Sequence, residues 1–299
     1  MLLPAMLCTA TVPAMAAGTE SGTSSPLDRI QVSATRFADQ VQEVPNAIDV
    51  VTGEDLEARG VHDLRGALAQ MGGVTVGPGG EDGTAGSSLG LLGRTETDDF
   101  LLVIDGVPAG GAFTPQFATI NLHNVERIEL IRGTAPVYYG TTAFAGTVNV
   151  IHHAAGEGPT QLALSAGSFG TVEAAGGGAL ATGTLRQTLS GDIARDDLAD
   201  PRAGFHRAHG LYRAAMDLAG GEARLDLDVT DLRDRPASPT PYAGAVALLG
   251  PDFNQSPVNG RIDTQVGKVT ASYDRPLGSA VWSSLLSLTH THTLSLIHI

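Results

Sequence analysis

The sequence predicts an α+β domain, a small mixed sheet with helices, followed by antiparallel β-strands suited to a transmembrane β-barrel. Three observations carry that prediction. Up to residue 155 continuous apolar runs are interleaved with helical spacing, whereas beyond Gly156-Glu157-Gly158-Pro159 apolar and polar residues alternate. Several alternating segments place carboxylates on one face, as a wall with lipid outside and water inside requires. After the opening segment no stretch of about 20 apolar residues occurs, so a membrane could be crossed only by strands in a closed sheet.

Composition narrows the functional classes. With 299 residues and 42% hydrophobic content, the chain has material for one large or two ordinary domains and is neither disordered nor collagenous. The net charge of −14 excludes a nucleic-acid partner, which would require clustered Lys and Arg to neutralise phosphates. Leu2 to Val12 is a short apolar run, and Ala14-Met15-Ala16 supplies a small-x-small cleavage site, so residues 1–16 read as a signal peptide. No Lys or Arg precedes that run. The only cysteine, Cys8, falls inside it, which leaves no thiol or disulfide after cleavage.

Taken in order, Gly18 to Pro26 is a flexible Gly/Ser/Thr-rich leader. Asp28 to Arg36 follows as a β-prone segment that can lend its backbone edge to a partner's sheet, or form an ordinary surface strand. Ala47 to Val51 predicts a strand, and Thr52 with Asp55 three residues on predicts a helix start of the capping-box type. Leu56, Val61, Leu64 and Leu68 continue as helical turns broken at Gly60. Val74 to Val76 is a short strand running into the glycine-rich loop Gly77 to Gly83. Phe100 to Ile104 is a buried strand ended by the turn Asp105-Gly106, and Val125 to Ile131 and Thr147 to Ile151 complete a mixed sheet.

Past Pro159 the period is two. Leu162, Leu164 and Ala166 share one face, opposite Gln161, Ala163 and Ser165. Ala223, Leu225, Leu227 and Val229 oppose Arg224, Asp226, Asp228 and Thr230, while Val269, Ala271 and Tyr273 oppose Lys268, Thr270, Ser272 and Asp274. A soluble sandwich has the same period. Tyr273 and Trp282, flanking a short turn, suit the aromatic girdle of a barrel, and the Pro- and Gly-rich stretch from Arg235 to Asp263 suits an outer loop.

Several motifs in succession resemble the TonB-dependent receptor family. Ile30 to Arg36 looks like a TonB box with an Ala-Thr-Arg ending, and Val44-Pro45-Asn46-Ala47-Ile48 like the first strand of the plug. Leu101 to Pro108 is similar to the family's LVLIDGVP signature. Val125-Glu126-Arg127-Ile128-Glu129-Leu130-Ile131-Arg132-Gly133, followed by Tyr139-Gly140 and Gly146-Thr147-Val148-Asn149-Val150-Ile151, matches the run that closes the plug. The resemblance implies a signal peptide (1–16), a flexible leader with the TonB box (17–39), a plug (40–156) and the first strands of a barrel (157–299). It further implies an outer-membrane receptor of a Gram-negative bacterium, bedded in lipid, that imports a small-molecule ligand when TonB and its inner-membrane energising complex pull on the box. The default ligand is an iron-siderophore or similar metal chelate. Neither catalysis nor a cofactor is implied.

The chain also departs from the family pattern. Gly133-Thr134-Ala135-Pro136 displaces a usual proline, Gly93-Arg94 reverses a usual order, and aromatics are only 5%. A plugged barrel has about 22 strands of roughly ten residues each, far more than Gly158 to Ile299 can supply. About seven strands are expected, so the sequence reads as an N-terminal fragment with an unfinished barrel.

Site expectations follow from the resemblance. Ile30, Gln31, Val32, Ser33, Ala34 and Thr35 are the TonB box. Arg94 and Arg132 are plug arginines that would latch onto glutamates of the barrel wall. Glu81, Asp82, Phe113, Gln116 and Phe117 are ligand-binding candidates at the plug apex. Gly86-Ser87-Ser88-Leu89-Gly90 has the spacing of a nucleophile elbow but lacks the strand before it and the helix after it, so no catalytic residue is assigned. His152-His153 and His206-x-x-His209 lack a third ligand and read as surface histidines, so no metal is assigned either. The alternative function is an exported plug-like binding or structural module without active transport.

Overall fold

A computed structural model describes residues 31–32, 39–40, 48–76, 89–91, 100–109, 120–133, 146–197, 204–235, 260–278 and 280–296. Two short strands, β1 (Gln31–Val32) and β2 (Asp39–Gln40), pair antiparallel ahead of the first domain. Thr52 ends β3 (Ile48–Thr52) and caps α1 (Gly53–Ala58): its hydroxyl accepts from the Asp55 amide at 3.1 Å. Gly60 turns the chain with φ +69°, and α2 (Leu64–Leu68) starts behind a second cap, in which Asp63 accepts from the Gly66 amide at 2.6 Å.

The domain is built on β6 (Phe100–Ile104), β7 (Val107–Pro108), β8 (Val125–Arg132) and β9 (Gly146–His152), with β3 at one edge. Their order is β3-β8-β9-β6-β7, and β6 runs parallel to β9 while the other pairs are antiparallel. The expected mixed sheet is therefore present. β4 (Val74–Val76) and β5 (Leu89–Leu91) form a separate two-stranded pair. Leu56, Leu64 and Leu68 bring the helices onto Ile128, Leu130, Val148 and Val150, all at most 1% exposed. Gly146 permits the close pairing of β9 with β8, because a Cβ there would lie 2.5 Å from the Ile131 carbonyl oxygen.

The second half forms one seven-stranded sheet in sequence order. Its strands are β10 (Gln161–Ala166), β11 (Val172–Thr182), β12 (Leu185–Asp196), β13 (Gly204–Leu218), β14 (Gly221–Arg235), β15 (Ile262–Leu277) and β16 (Ala280–Ser295), each antiparallel to the next. Among the described residues the sheet does not close on itself. Its register divides the side chains as the alternation predicts. Leu162, Leu164, Leu189, Ile193, Val229, Leu286 and Leu288 share one face and are 58% to 78% exposed. Thr188, Asp192 and Arg207 on the other face are at most 6% exposed. Tyr273 and Trp282 stand on the apolar face beside the turn at Gly278, their rings 6.2 Å apart and edge-on at 78°. No described helix is long and apolar enough to cross a membrane.

Candidate functional site

The polar face of the large sheet receives the α+β domain, and the contact begins where β9 ends. His152 and His153 leave the small sheet, a turn through Gly156 and Gly158 follows, and Gln161 opens β10. Thr188 on β12 fastens this handover: its hydroxyl accepts from the Gly156 amide at 2.9 Å and lies 3.3 Å from the Ala154 and Glu157 carbonyls. Gln161 bonds the His123 ring at 2.9 Å, and Asn121 donates to Glu173 on β11. A cavity of about 470 Å³ lies beside the handover, lined by residues including His62, His123, Glu126 and His153. Burial pushes the His153 imidazole below its ordinary pKa.

The most connected group at the contact is Arg213 on β13. Its Nε and Nη2 donate to Asp226 of β14 at 3.1 and 3.2 Å, so the guanidinium is held by the wall in fork fashion. Nη1 donates instead to the small domain: to the His153 carbonyl at 2.9 Å, the His152 carbonyl at 3.1 Å and Asp105 Oδ1 at 3.4 Å. Asp105 also accepts from the His152 amide at 2.9 Å and pairs with His152 Nδ1 at 2.8 Å. Burial opposes ionisation of Asp105, but His152 and Arg213 beside it outweigh burial and hold its carboxyl below the usual carboxylate range. The backbone aids this placement: Asp105 and Gly106 take φ +52° and +79°, a reversal that aspartate tolerates better than most residues.

A second polar group lies wholly within the wall. Arg207 donates to Asp192 at 3.0 Å, His209 lies 3.2 Å from both Asp192 and Asp228, and Lys268 is 3.3 Å from Asp228. These ties join β12, β13, β14 and β15 across the face that carries the other domain.

The structure sorts the residues chosen from sequence. Of the TonB-box residues, Gln31 and Val32 form β1, while Ile30, Ser33, Ala34 and Thr35 lie outside the described residues, as do Arg94, Glu81, Asp82, Phe113, Gln116 and Phe117. Arg132 bonds inside the small domain: it pairs with Asp49 on β3 and donates to the Gly72 carbonyl at 2.6 Å. The surface reading of the histidines needs correction for His152, which is 6% exposed and bound to Asp105, and for His209, which is clasped by two carboxylates. His206 faces away from His209, since residues three apart on a strand lie on opposite faces. Among the described residues no three His, Cys, Asp or Glu are grouped to hold a metal.

Asp105 lies within the signature at Leu101 to Pro108, where it reads only as a turn residue, and no motif marks Arg213 or Asp226. The available signal was alternation, which puts an arginine on the same face as Asp226 opposite it; nothing local points from there to Asp105, 108 residues earlier.

Comparison with known proteins supplies the family context. Residues 40–147 match the family described as TonB-dependent Receptor Plug Domain. The chain is 34% identical over 153 residues to the vitamin B12 transporter BtuB of Photobacterium profundum, covering 50% of this chain and 25% of that protein. It is 34% identical over 129 residues to the iron-regulated outer membrane virulence protein of Vibrio cholerae serotype O1, covering 40% and 19%. The ferric-catecholate import receptor Fiu from E. coli K12 superposes with a TM-score of 0.72 at 18% identity, over 89% of this chain and 40% of that one. The siderophore receptor PiuA from Acinetobacter baumannii gives 0.69 at 17%, with 89% and 40% covered. The chain thus spans a quarter or less of the length of these two curated relatives.

Proposed function

Residues 40–147 are the plug domain of a TonB-dependent receptor, and from that premise we propose that the protein is an outer-membrane receptor, energised by TonB, that imports a metal chelate of the iron-siderophore class. The carrying observation is the seating of the plug on the polar face of an antiparallel sheet whose other face is apolar and exposed. A soluble sandwich would bury that apolar face, whereas a lipid-facing barrel wall leaves it outward. The alternative of an exported binding or structural module without active transport would share that sheet, but has no use for the β-prone segment at Gln31–Val32 ahead of the plug. The siderophore receptors among the solved relatives support the iron-chelate class, and the likeness to a vitamin B12 transporter supports cobalamin as the second reading.

Energisation is proposed to enter at Gln31–Val32. These residues already make an antiparallel ladder with Asp39–Gln40, so the segment is able to pair edge to edge, and TonB would take the place of β2. Proline at Val32 removes the amide donor and fixes φ, which disrupts such pairing whatever the side chain. In cells expressing the whole receptor, Val32→Pro is expected to bind radiolabelled ferric siderophore normally but not accumulate it, and Val32→Ile to do both. Normal accumulation in the proline variant would remove this segment from transport. Running labelled cobalamin in parallel decides the ligand class: saturable uptake of cobalamin with none of the iron chelate selects the second reading.

A further inference from the structure

We propose that Arg213 is a latch by which the barrel wall holds the plug, acting on Asp105 and on the carbonyls of His152 and His153. The inference rests on reading the chain as plug and wall, but not on TonB or on any ligand. Its basis is the division of labour within one guanidinium. Two of its nitrogens are occupied by Asp226 on the neighbouring wall strand, and the third reaches three acceptors that all belong to the plug. The side chain is 11% exposed, and Asp105 and Asp226 are 14% and 17% exposed, so these charges have little water to replace a lost partner.

The arrangement has a consequence for movement. When the plug shifts, all three acceptors leave together, because Asp105 is bonded to the His152 amide and ring and so moves with the end of β9. Arg213 stays behind in the grip of Asp226. The wall therefore keeps a prepositioned cation facing the plug's seat, and the contact can re-form without a search by a flexible side chain. The polarity is the reverse of that expected for Arg132, whose described partners are in the plug itself. Here the wall supplies the cation, and the plug supplies the anion and two backbone dipoles.

The test is amide hydrogen exchange on the purified whole receptor, without TonB or ligand, comparing wild type with Arg213→Met, Arg213→Lys, Arg224→Gln and the double variant Asp105→Asn/Arg213→Met. Arg224 serves as control because its ion-pair partners, Glu222 and Asp274, are both in the wall. Exchange at the Asp105, His152 and His153 amides should rise about tenfold or more in Arg213→Met and less in Arg213→Lys, which keeps the charge but loses the fork. Arg224→Gln should leave these amides at wild-type rates, and the double variant should exceed Arg213→Met only by what Asp105 loses toward His152, since its contact with Arg213 is already gone. Rates within about twofold of wild type in Arg213→Met would overturn the latch, as would equal acceleration by Arg224→Gln. Should Arg213→Met fail to assemble, unchanged exchange in Arg213→Lys overturns it equally. Uptake is measured separately, so failure of the transport reading leaves the exchange result standing.

Discussion

The plug sheet and the barrel sheet are built on opposite plans. In the plug, Leu64, Leu68, Ile128 and Leu130 are wholly buried, and the apolar side chains face inward. In the wall, Leu162 and Leu286 are 78% and 74% exposed while Asp192 and Arg207 are 5% and 6% exposed. The same elementary alternation serves both, yet what lies beyond each face differs. The plug meets polar groups and water on its outside, whereas a barrel meets lipid on its outside, so the hydrophobic effect closes the first inward, while hydrogen bonding and ion pairing hold the inner side of the second. The contrast teaches that exposure of leucines in the wall is its design, and that the inner face meets the plug with ion-paired groups such as Asp192, Arg207 and Arg213 set among a few buried apolar side chains, Leu211 and Leu232 among them.

Substitutions that treat one region by the other's rules should break this contrast most. Leu130→Asp places a carboxylate in the plug core without a partner and should cost about 4 kcal/mol or more, enough to abolish protection of the β8 and β9 amides in hydrogen exchange. Persistence of that protection would show that the plug is not held by its apolar core. On the wall the polarity of the experiment reverses. Leu227→Arg, on the lipid side near the middle of β14, should cost about 2 to 4 kcal/mol when unfolding is followed in bilayers, whereas the same change on a soluble surface would be nearly neutral. An arginine tolerated there in bilayers would refute the lipid-facing assignment.

At the contact itself the expected effects are smaller. Asp105→Asn should weaken the plug's seating by about 2 kcal/mol at neutral pH, the order of a hydrogen bond to a charged group. The sign with pH follows from the direction of the shift: a carboxyl held below its ordinary value contributes stability above that value and loses it as pH falls. Plug protection should therefore be constant from neutral pH down to about 5 and decline below about 4, with the decline reduced in Asp105→Asn. A decline beginning near pH 6 would implicate the histidines instead. The smallest effect is expected from Thr52→Ala, about 1 kcal/mol, confined to the amides of α1.

Local chemistry made the plug readable from sequence. Thr52 and Asp55 announced the start of α1, Gly60 the break, and the run from Phe100 to Ile104 the strand bounded by the Asp105 turn. The alternation beyond Pro159 gave both faces of the wall and about seven strands. What escaped is what depends on a partner. β5 and β7 are two or three residues long and are strands only because β4 and β6 lie beside them. Asp63 was a legible cap, since it immediately precedes Leu64 in the helical pattern, but it lacks the acidic residue three positions on that marked Thr52. The Arg213 contact left no local trace, because its partners are brought together only by the plug's seating; for Arg132 the resemblance points to glutamates of the wall, and its described partners are Asp49 and the Gly72 carbonyl within the plug.

The edge-on pair of Tyr273 and Trp282 makes the wall optically addressable. Trp282 is the single tryptophan among these 299 residues, and it stands on the exposed apolar face next to the turn at Gly278. Fluorescence from this stretch therefore originates at one depth, close to one interface. As strands insert, emission should move to shorter wavelength and become accessible to quenchers carried on acyl chains near the head groups, while quenchers at the bilayer centre have less effect. Tyr273, 6.2 Å away on the adjacent strand, transfers excitation to Trp282 most efficiently once the β15–β16 hairpin has paired. Two spectral signals thus separate arrival at the membrane from registration of the strands within it.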